Sequence, residues 1–233
     1  MINIRHKQTG ALLLELDADT LAGVELSNEV LRGADLRGAD LRGIQLRRAY
    51  LVDVDLREAN LENARLNGAD LTDVLLSGAN LHGAHFTEAK IRNADFRQAD
   101  LSETAWHHTF MVNTALDNAT LAAANLRRAT LIATSLTGAS LVAADLTGAL
   151  LLGANLTGTN LSGACFAETF IADCRTLHEA LALSSVNHLA PSSLDVRTLR
   201  VCAPHLPDTF LQSFGYTTEE IRSLKSLYTE ATC

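Results

Sequence analysis

The sequence predicts an all-β solenoid, and three features of its repeats predict it. Large apolar residues occupy thirty-one positions, every fifth residue from Leu21 to Ile171, without a break in phase. Small residues, mostly alanine, stand two positions before them, and twelve of the fourteen glycines stand two positions after them. Self-similarity at one fixed period indicates a repeat architecture, in which each repeat packs only on its neighbours.

A five-residue period fits neither a helix nor a flat strand. On a helix, successive apolar residues would lie about 140° apart, and no single face could be buried. On a strand, the odd step would send successive apolar residues to opposite faces. A corner in every repeat resolves the conflict, because the small and the large residue then both point inward. Glycine supplies the positive φ that such a turn requires.

Runs such as Ala34-Asp35-Leu36-Arg37-Gly38 and Ala154-Asn155-Leu156-Thr157-Gly158 resemble the pentapeptide-repeat family. The resemblance covers residues 21–173 and implies a right-handed quadrilateral β-helix with four repeats per coil. Residues twenty apart then stack on one another. Thirty-one repeats give about eight coils, and a strand spacing of about 4.8 Å gives a rod roughly 37 Å long.

This stacking predicts the packing of the middle coils. Phe86 and Trp106 fall in one inner column, one coil apart, with Phe96 and Met111 nearby, so we expect an aromatic stack. Threonine replaces alanine at three neighbouring inward positions: Thr104, Thr109 and Thr114. Because buried hydroxyls are almost always hydrogen-bonded, these three are predicted to bond to backbone carbonyls.

The phase of the repeats divides the chain into three segments. Residues 1–20 alternate in polarity around a turn and predict an N-terminal β-hairpin that caps the first coil. Residues 21–173 form the β-helix. In residues 174–233 the five-residue phase is absent and helical signals replace it, including a capping box from Thr217 to Glu220. This segment is predicted to be a small α-helical region that caps the rod or docks a partner.

Composition predicts a folded protein in the cytoplasm, and the resemblance suggests a bacterial one. Hydrophobic residues make up 47% of the chain and the net charge is −8. No apolar run approaches the roughly 18 residues of a spanning helix, so no membrane contact is expected. The first ten residues lack an export signal. The four cysteines show no paired spacing, which fits a reducing compartment.

One face of the predicted rod differs from the other three. Residues twenty apart share a face, and three faces are polar. The fourth carries an apolar stripe: Val30, Tyr50, Val52, Phe110, Val112, Ile132, Leu150, Leu152 and Phe170, interrupted by Asp70, Lys90 and Arg92. Contiguous exposed apolar surface is rare on monomers, so something is expected to cover it. The candidates are the chain's own C-terminal helices folded back along the stripe, a second copy in a homodimer, or another protein partner.

No residue pattern supports catalysis, a cofactor or a metal. The eight histidines are scattered, and no cysteine or carboxylate cluster joins them at ligand spacing. The serines lack a Gly-x-Ser-x-Gly elbow. Nearly every glycine is used at a solenoid corner, which leaves none for a phosphate-binding loop. We therefore predict that the protein is not an enzyme.

Two functions remain. The first is a non-enzymatic structural or protein–protein interaction scaffold. The alternative is implied by the resemblance: some family members mimic DNA and bind DNA gyrase, which protects it from quinolones. The repeat region has 12 basic and 18 acidic residues, but arginines alternate with aspartates, as at Asp35, Arg37, Asp40 and Arg42. A mimic would need an uncompensated acidic stripe. Nucleic-acid binding is not expected, because the sequence shows no basic cluster.

Overall fold

The computed structural model describes residues 1–230, and it is a β-solenoid. Parallel bridges join residues twenty apart in four columns, which define four faces: face A from Glu25, face B from Val30, face C from Asp35 and face D from Asp40. The column on face B runs through eight levels, from Val30 to Phe170. The quadrilateral coil and the number of about eight coils are both confirmed.

The core is one continuous stack of the thirty-one apolar residues of the repeats. All of them are buried, and the most exposed, Leu21, is only 9% accessible. Small inward residues such as Ala64 and Ala124 are fully buried between them. Removal of this apolar surface from water is the main force that holds the coils together.

The buried threonines of the middle coils bond to the backbone as predicted. Each hydroxyl donates to a carbonyl: Thr104 to Leu101, Thr109 to Phe86 at 2.9 Å, and Thr114 to Val112 at 3.4 Å. Thr104 Oγ1 also accepts a hydrogen bond of 2.7 Å from Nε1 of Trp106. Phe96 meets the rings of Phe86 and Trp106 edge-on, with centroids 6.0 and 5.9 Å away.

The corners adopt positive φ whether or not they hold glycine. Gly158 has a φ of 65°, but Arg48 and Ala133 occupy the same phase with φ values of 56° and 50°. The coil therefore imposes the left-handed conformation, and glycine lowers its cost without being required.

An N-terminal hairpin caps the first coil. Strand β1 (Ile2–Arg5) pairs antiparallel with β2 (Leu12–Leu16). The hairpin joins the rod where Asp35 N donates to Arg5 O at 2.8 Å. A β-carbon at Gly33 would lie 2.5 Å from Nε2 of His6, so glycine permits the close approach.

Face B contains a six-stranded parallel sheet. Its strands are β3 (Lys90–Arg92), β4 (Phe110–Val112), β5 (Thr130–Ile132), β6 (Leu150–Leu152), β8 (Phe170–Ala172) and β10 (Ser193–Leu194). Strand β7 (Cys165–Phe166) pairs on face A with β9 (Asn187–His188).

The rod continues for one further coil beyond the repeats. Leu181 pairs with Asn160, Asn187 with Cys165, and Ser193 with Phe170, at separations of 21, 22 and 23 residues. Two 3-10 helices, Leu177–Glu179 and Leu183–Ser185, lie in this widened coil. Residues 174–195 thus belong to the solenoid, although the sequence placed the helical region from residue 174.

Three α-helices follow: α1 (Val196–Cys202), α2 (Asp208–Ser213) and α3 (Thr218–Glu230). The predicted capping box begins α3, because Thr217 N donates to Glu220 Oε2 at 2.8 Å and Glu220 N donates to Thr217 Oγ1 at 3.2 Å. The helices contact β8, the 3-10 helices and one another, so they stack at the end of the rod. In residues 1–230, no helix is long and apolar enough to cross a bilayer.

Candidate functional site

The predicted stripe lies on the outer side of the face B sheet. The strand register aligns its residues in two outward columns: Phe110, Thr130, Leu150 and Phe170 in one, and Val112, Ile132, Leu152 and Ala172 in the other. The sequence thus identified which side chains share this face.

The stripe consists of two pieces. The larger piece, here called the apolar patch, contains six residues: Phe110, Val112, Ile132, Leu150, Leu152 and Phe170. Phe110 and Phe170 are 40% and 39% exposed at its two ends, and the other four are half-buried. Val30 and Tyr50, which are 63% and 54% exposed, form the smaller piece together with Val52. Between the two pieces lie the levels of Asp70 and β3, which carry charged side chains outward.

The composition of the apolar patch also explains why extended strands form there. On the other faces, most coils are joined by isolated β-bridges, and their residues do not form strands. On face B the outward positions hold phenylalanine, leucine, valine and isoleucine, which favour extended backbone and pack against like neighbours across strands. The patch therefore lies on continuously paired parallel strands.

The C-terminal helices in the described residues do not cover the apolar patch, although they were one of the three candidates for doing so. Their contacts with the face B sheet are made with β8, at the end of the rod. The expectation that the C-terminal helices fold back along the stripe is therefore corrected. The reason is the widened coil, which uses residues 174–195 to continue the rod and leaves the helices beyond its end.

A basic corner, which the sequence analysis missed, borders the same face. It lies between faces A and B and contains Arg47, Arg48, His107, His108, Arg127 and Arg128. Two clefts of about 420 and 530 Å³ lie along it, one around Arg47 and Arg48, the other around Arg127 and Arg128. The arginine pairs are eighty residues apart, so they occupy equivalent positions four coils apart. Comparison of corner residues at multiples of twenty would have found them.

The arginines of this corner are largely uncompensated. Within residues 1–230, Arg47, Arg48 and Arg128 form no ion pair, and Arg127 reaches Asp145 only at 3.4 Å. Burial, together with the charges of Arg65 and Arg47, lowers the pKa of His85 on face A. The two clefts also contain Glu88 and Glu168, so basic and acidic side chains both line this corner.

Face C shows the opposite arrangement. Asp35, Asp55 and Asp95 each accept two hydrogen bonds from the arginine two residues later in the chain. The guanidinium groups lower the pKa of all three carboxyls. Most of the acidic charge on this face is thus neutralised locally.

One cysteine–histidine contact occurs in the widened coil. Nδ1 of His178 lies 3.3 Å from Sγ of Cys202. Burial raises the pKa of the Cys202 thiol and raises that of Cys174 to about 11. A nucleophile needs an exposed thiolate, so this pair supports packing and not catalysis. In the described residues, no group of three or more potential ligands could hold a metal ion.

Eight copies of the model for pentapeptide repeats match the chain, over residues 20–51, 30–68, 64–103, 114–151 and 134–171. This chain belongs to the pentapeptide-repeat family. No curated protein matches it.

Solved structures of other pentapeptide-repeat proteins resemble this chain. HetL from the cyanobacterium Nostoc, involved in regulation of heterocyst differentiation, is 26% identical over 71% of this chain and 87% of its own, with a TM-score of 0.30. Trypsin-treated QnrB1, a plasmid-mediated fluoroquinolone resistance protein, is 19% identical over 87% of this chain and 93% of its own, with a TM-score of 0.43. Rfr23 from the cyanobacterium Cyanothece is 24% identical over 76% and 85%, with a TM-score of 0.17.

Proposed function

We propose that this pentapeptide-repeat protein is a non-enzymatic protein–protein interaction scaffold that docks its partner through the apolar patch. The observation that carries the proposal is the exposure of Phe110 and Phe170 on the face B sheet, against which the described helices pack at β8, at one end. Water contact with such a patch is unfavourable, and burial of its aromatic ends against a partner would release that free energy.

The patch can be tested against a matched position on another face. Ile132 and Val142 are both β-branched, both half-buried, and both follow an inward leucine, but Val142 lies on face D. We expect Ile132→Glu to abolish partner capture by the immobilised protein, and Val142→Glu to leave it unchanged. Equal loss with both variants, or with neither, would contradict the proposal.

Gyrase binding by DNA mimicry is the alternative, and the net charge of −8 is the observation that favours it. The paired aspartates of face C argue against it, because a mimic must present unneutralised acid at regular spacing. A supercoiling assay with purified gyrase tests the alternative directly. Inhibition of supercoiling by this protein, or protection of gyrase from a quinolone, would favour mimicry over the scaffold.

The free thiols support a cytoplasmic location for this scaffold. Cys165, Cys174 and Cys202 are unpaired, and unpaired cysteines are usual in reducing compartments. Detection of the protein in a periplasmic or secreted fraction would contradict this location.

A further inference from the structure

We infer that the occupant of the apolar patch is a second copy of this chain, packed face to face with the two rods antiparallel. The inference rests on the proposed function, because it requires the patch to be an interface. Its twofold axis would lie in the interface, parallel to the strands, between β5 and β6. In a symmetric interface of this kind, each residue meets the residue at the mirrored level of the partner.

That axis matches apolar groups with apolar groups. It pairs Phe110 with Phe170 of the other copy, at the two exposed ends of the patch. In the second column, the larger Val112 meets the smaller Ala172, and Ile132 meets Leu152. Leu150 meets Thr130 of the other copy, so five of the six patch residues face apolar partners, and no charged group is buried against them.

The same axis matches charges at the edges of the patch. Arg92 lies on the last level before β4, and Asp195 follows β10, where its N donates to Ile171 O at 3.1 Å. The two residues occupy mirrored levels in the same column, so each Arg92 would meet Asp195 of the other copy. At the corner, His108 and Glu168 are mirrored in the same way, and both are exposed.

The parallel alternative is less favourable. With the axis along the rod, each level would meet the same level of the other copy, and its two outward columns would be exchanged. Lys90 would then lie against Arg92 of the second chain, with both charges partly desolvated. Like charges in that setting disfavour association.

The interface would be at the small end of the usual range. Six levels contribute roughly twelve outward side chains per copy, and the corner residues bring the total to about twenty, against the 20 to 30 per side of a standard interface. We therefore expect a reversible dimer with a dissociation constant in the micromolar range, so the mass should depend on concentration.

Light scattering and sedimentation on the purified full chain test the dimer. We expect a mass that rises toward twice the monomer value up to about 100 µM, as a micromolar dimer requires. Ile132→Glu should abolish the rise and Val142→Glu should preserve it. His108→Glu should weaken association at least tenfold, and the added Glu168→Arg should restore it. Circular dichroism confirms that each variant is folded.

Crosslinking tests the register. Stacked sheets lie about 10 Å apart, so a short bismaleimide is the suitable reagent. Two single variants, Phe110→Cys and Phe170→Cys, are prepared in a background with Cys165 and Cys233 replaced by serine. We expect a crosslinked dimer when the two variants are mixed, and little with either alone.

The outcomes separate this inference from the proposed function. A monomer at all concentrations would overturn the second copy as occupant, while loss of partner capture in Ile132→Glu would still support the scaffold. A dimer that Ile132→Glu does not affect would overturn the inference and weaken the scaffold proposal as well. A patch-dependent dimer that crosslinks Tyr50→Cys to Phe110→Cys would overturn the register.

Discussion

The indole ring of Trp106 lies parallel to the phenyl ring of Phe86, with 4.1 Å between the centroids and 4° between the planes. The indole N–H, which this stack places inside the core, is satisfied by Thr104. A buried tryptophan needs such a partner. This explains why threonine, and not the usual alanine, stands two residues before Trp106.

We predict that Thr104 and Trp106 are energetically coupled. Thr104→Ala would leave the indole N–H without a partner and cost about 1–3 kcal/mol of unfolding free energy. In a Trp106→Phe background no N–H remains, so the same substitution should cost at least about 1 kcal/mol less. Urea unfolding of the four proteins of this cycle measures the coupling. Additive costs would show that the hydrogen bond contributes nothing.

Two buried threonines should respond oppositely to removal of the hydroxyl. Thr134 Oγ1 is buried without a hydrogen-bond partner, whereas Thr159 Oγ1 donates to Leu136 O at 2.8 Å. Thr134→Val should therefore stabilise the protein or leave it unchanged, and Thr159→Val should cost about 1 kcal/mol. Thermal unfolding of both variants checks the contrast, and a higher cost at residue 134 than at residue 159 would refute it.

His188 should make the C-terminal end sensitive to pH. Its ring contacts Phe166, Phe210 and Phe214 edge-on, at centroid distances of 5.7, 5.4 and 5.2 Å, and neither ring nitrogen has a partner. Burial lowers the pKa of His188 below its usual value near 6.5.

The lowered pKa sets the sign of this effect. The unfolded chain takes up the proton first as pH falls, so the stability present above about pH 6.5 is lost as pH falls through the lower folded pKa. His188→Phe keeps the aromatic contacts and removes the titration. We expect the variant to lose less stability than the wild type between pH 7 and pH 5, measured by urea unfolding. Identical pH profiles would exclude His188 as the cause.

Asp55 should contribute more stability than Asp40, although both are bound by the arginine two residues later. The side chain of Asp55 is only 5% exposed, against 46% for Asp40. Asp55→Ala should cost about 1–3 kcal/mol, because it leaves Arg57 without its buried acceptor. Asp40→Ala should cost less than about 1 kcal/mol, as solvent screens that pair.

The contribution of Asp55 should also disappear in acid. Its pKa is lowered mainly by the hydrogen bonds from Arg57, so the carboxylate stabilises the fold fully above its unfolded pKa of about 3.9. The difference between wild type and Asp55→Ala should be constant from pH 7 to pH 5. It should shrink only as pH falls through the lowered folded pKa, which is measurable by guanidinium unfolding at a series of pH values.

Glycine should stabilise corners that now hold alanine. Ala133 has a φ of 50°, which is unfavourable for any residue with a β-carbon. Ala133→Gly should raise the free energy of unfolding by about 0.5–1 kcal/mol. Ala122, one position before a corner, has no positive φ, and Ala122→Gly should destabilise by a similar amount. Thermal unfolding distinguishes the two, and equal effects would contradict the strain.

The sequence predicts the rod well because one phase governs it. The inward column from Leu21 to Ile171, the Phe86–Trp106 stack and the grouping of the stripe residues all follow from counting by five and by twenty. The coil formed by residues 174–195 does not, because its sides hold six residues instead of five, so that the separation from the coil before it rises from 21 to 22 to 23 residues and the period is lost. The sequence therefore could not show that this coil places the helices at the end of the rod and leaves the apolar patch exposed.

Each end of the rod carries an element outside the repeats, and this affects how the molecule can assemble. An open coil presents unpaired amides and carbonyls that would template another coil, as in fibre growth. The hairpin at Asp35 and the widened coil with its helices block that addition. Addition of a further coil is therefore hindered at each end, which favours contacts between the sides of two rods.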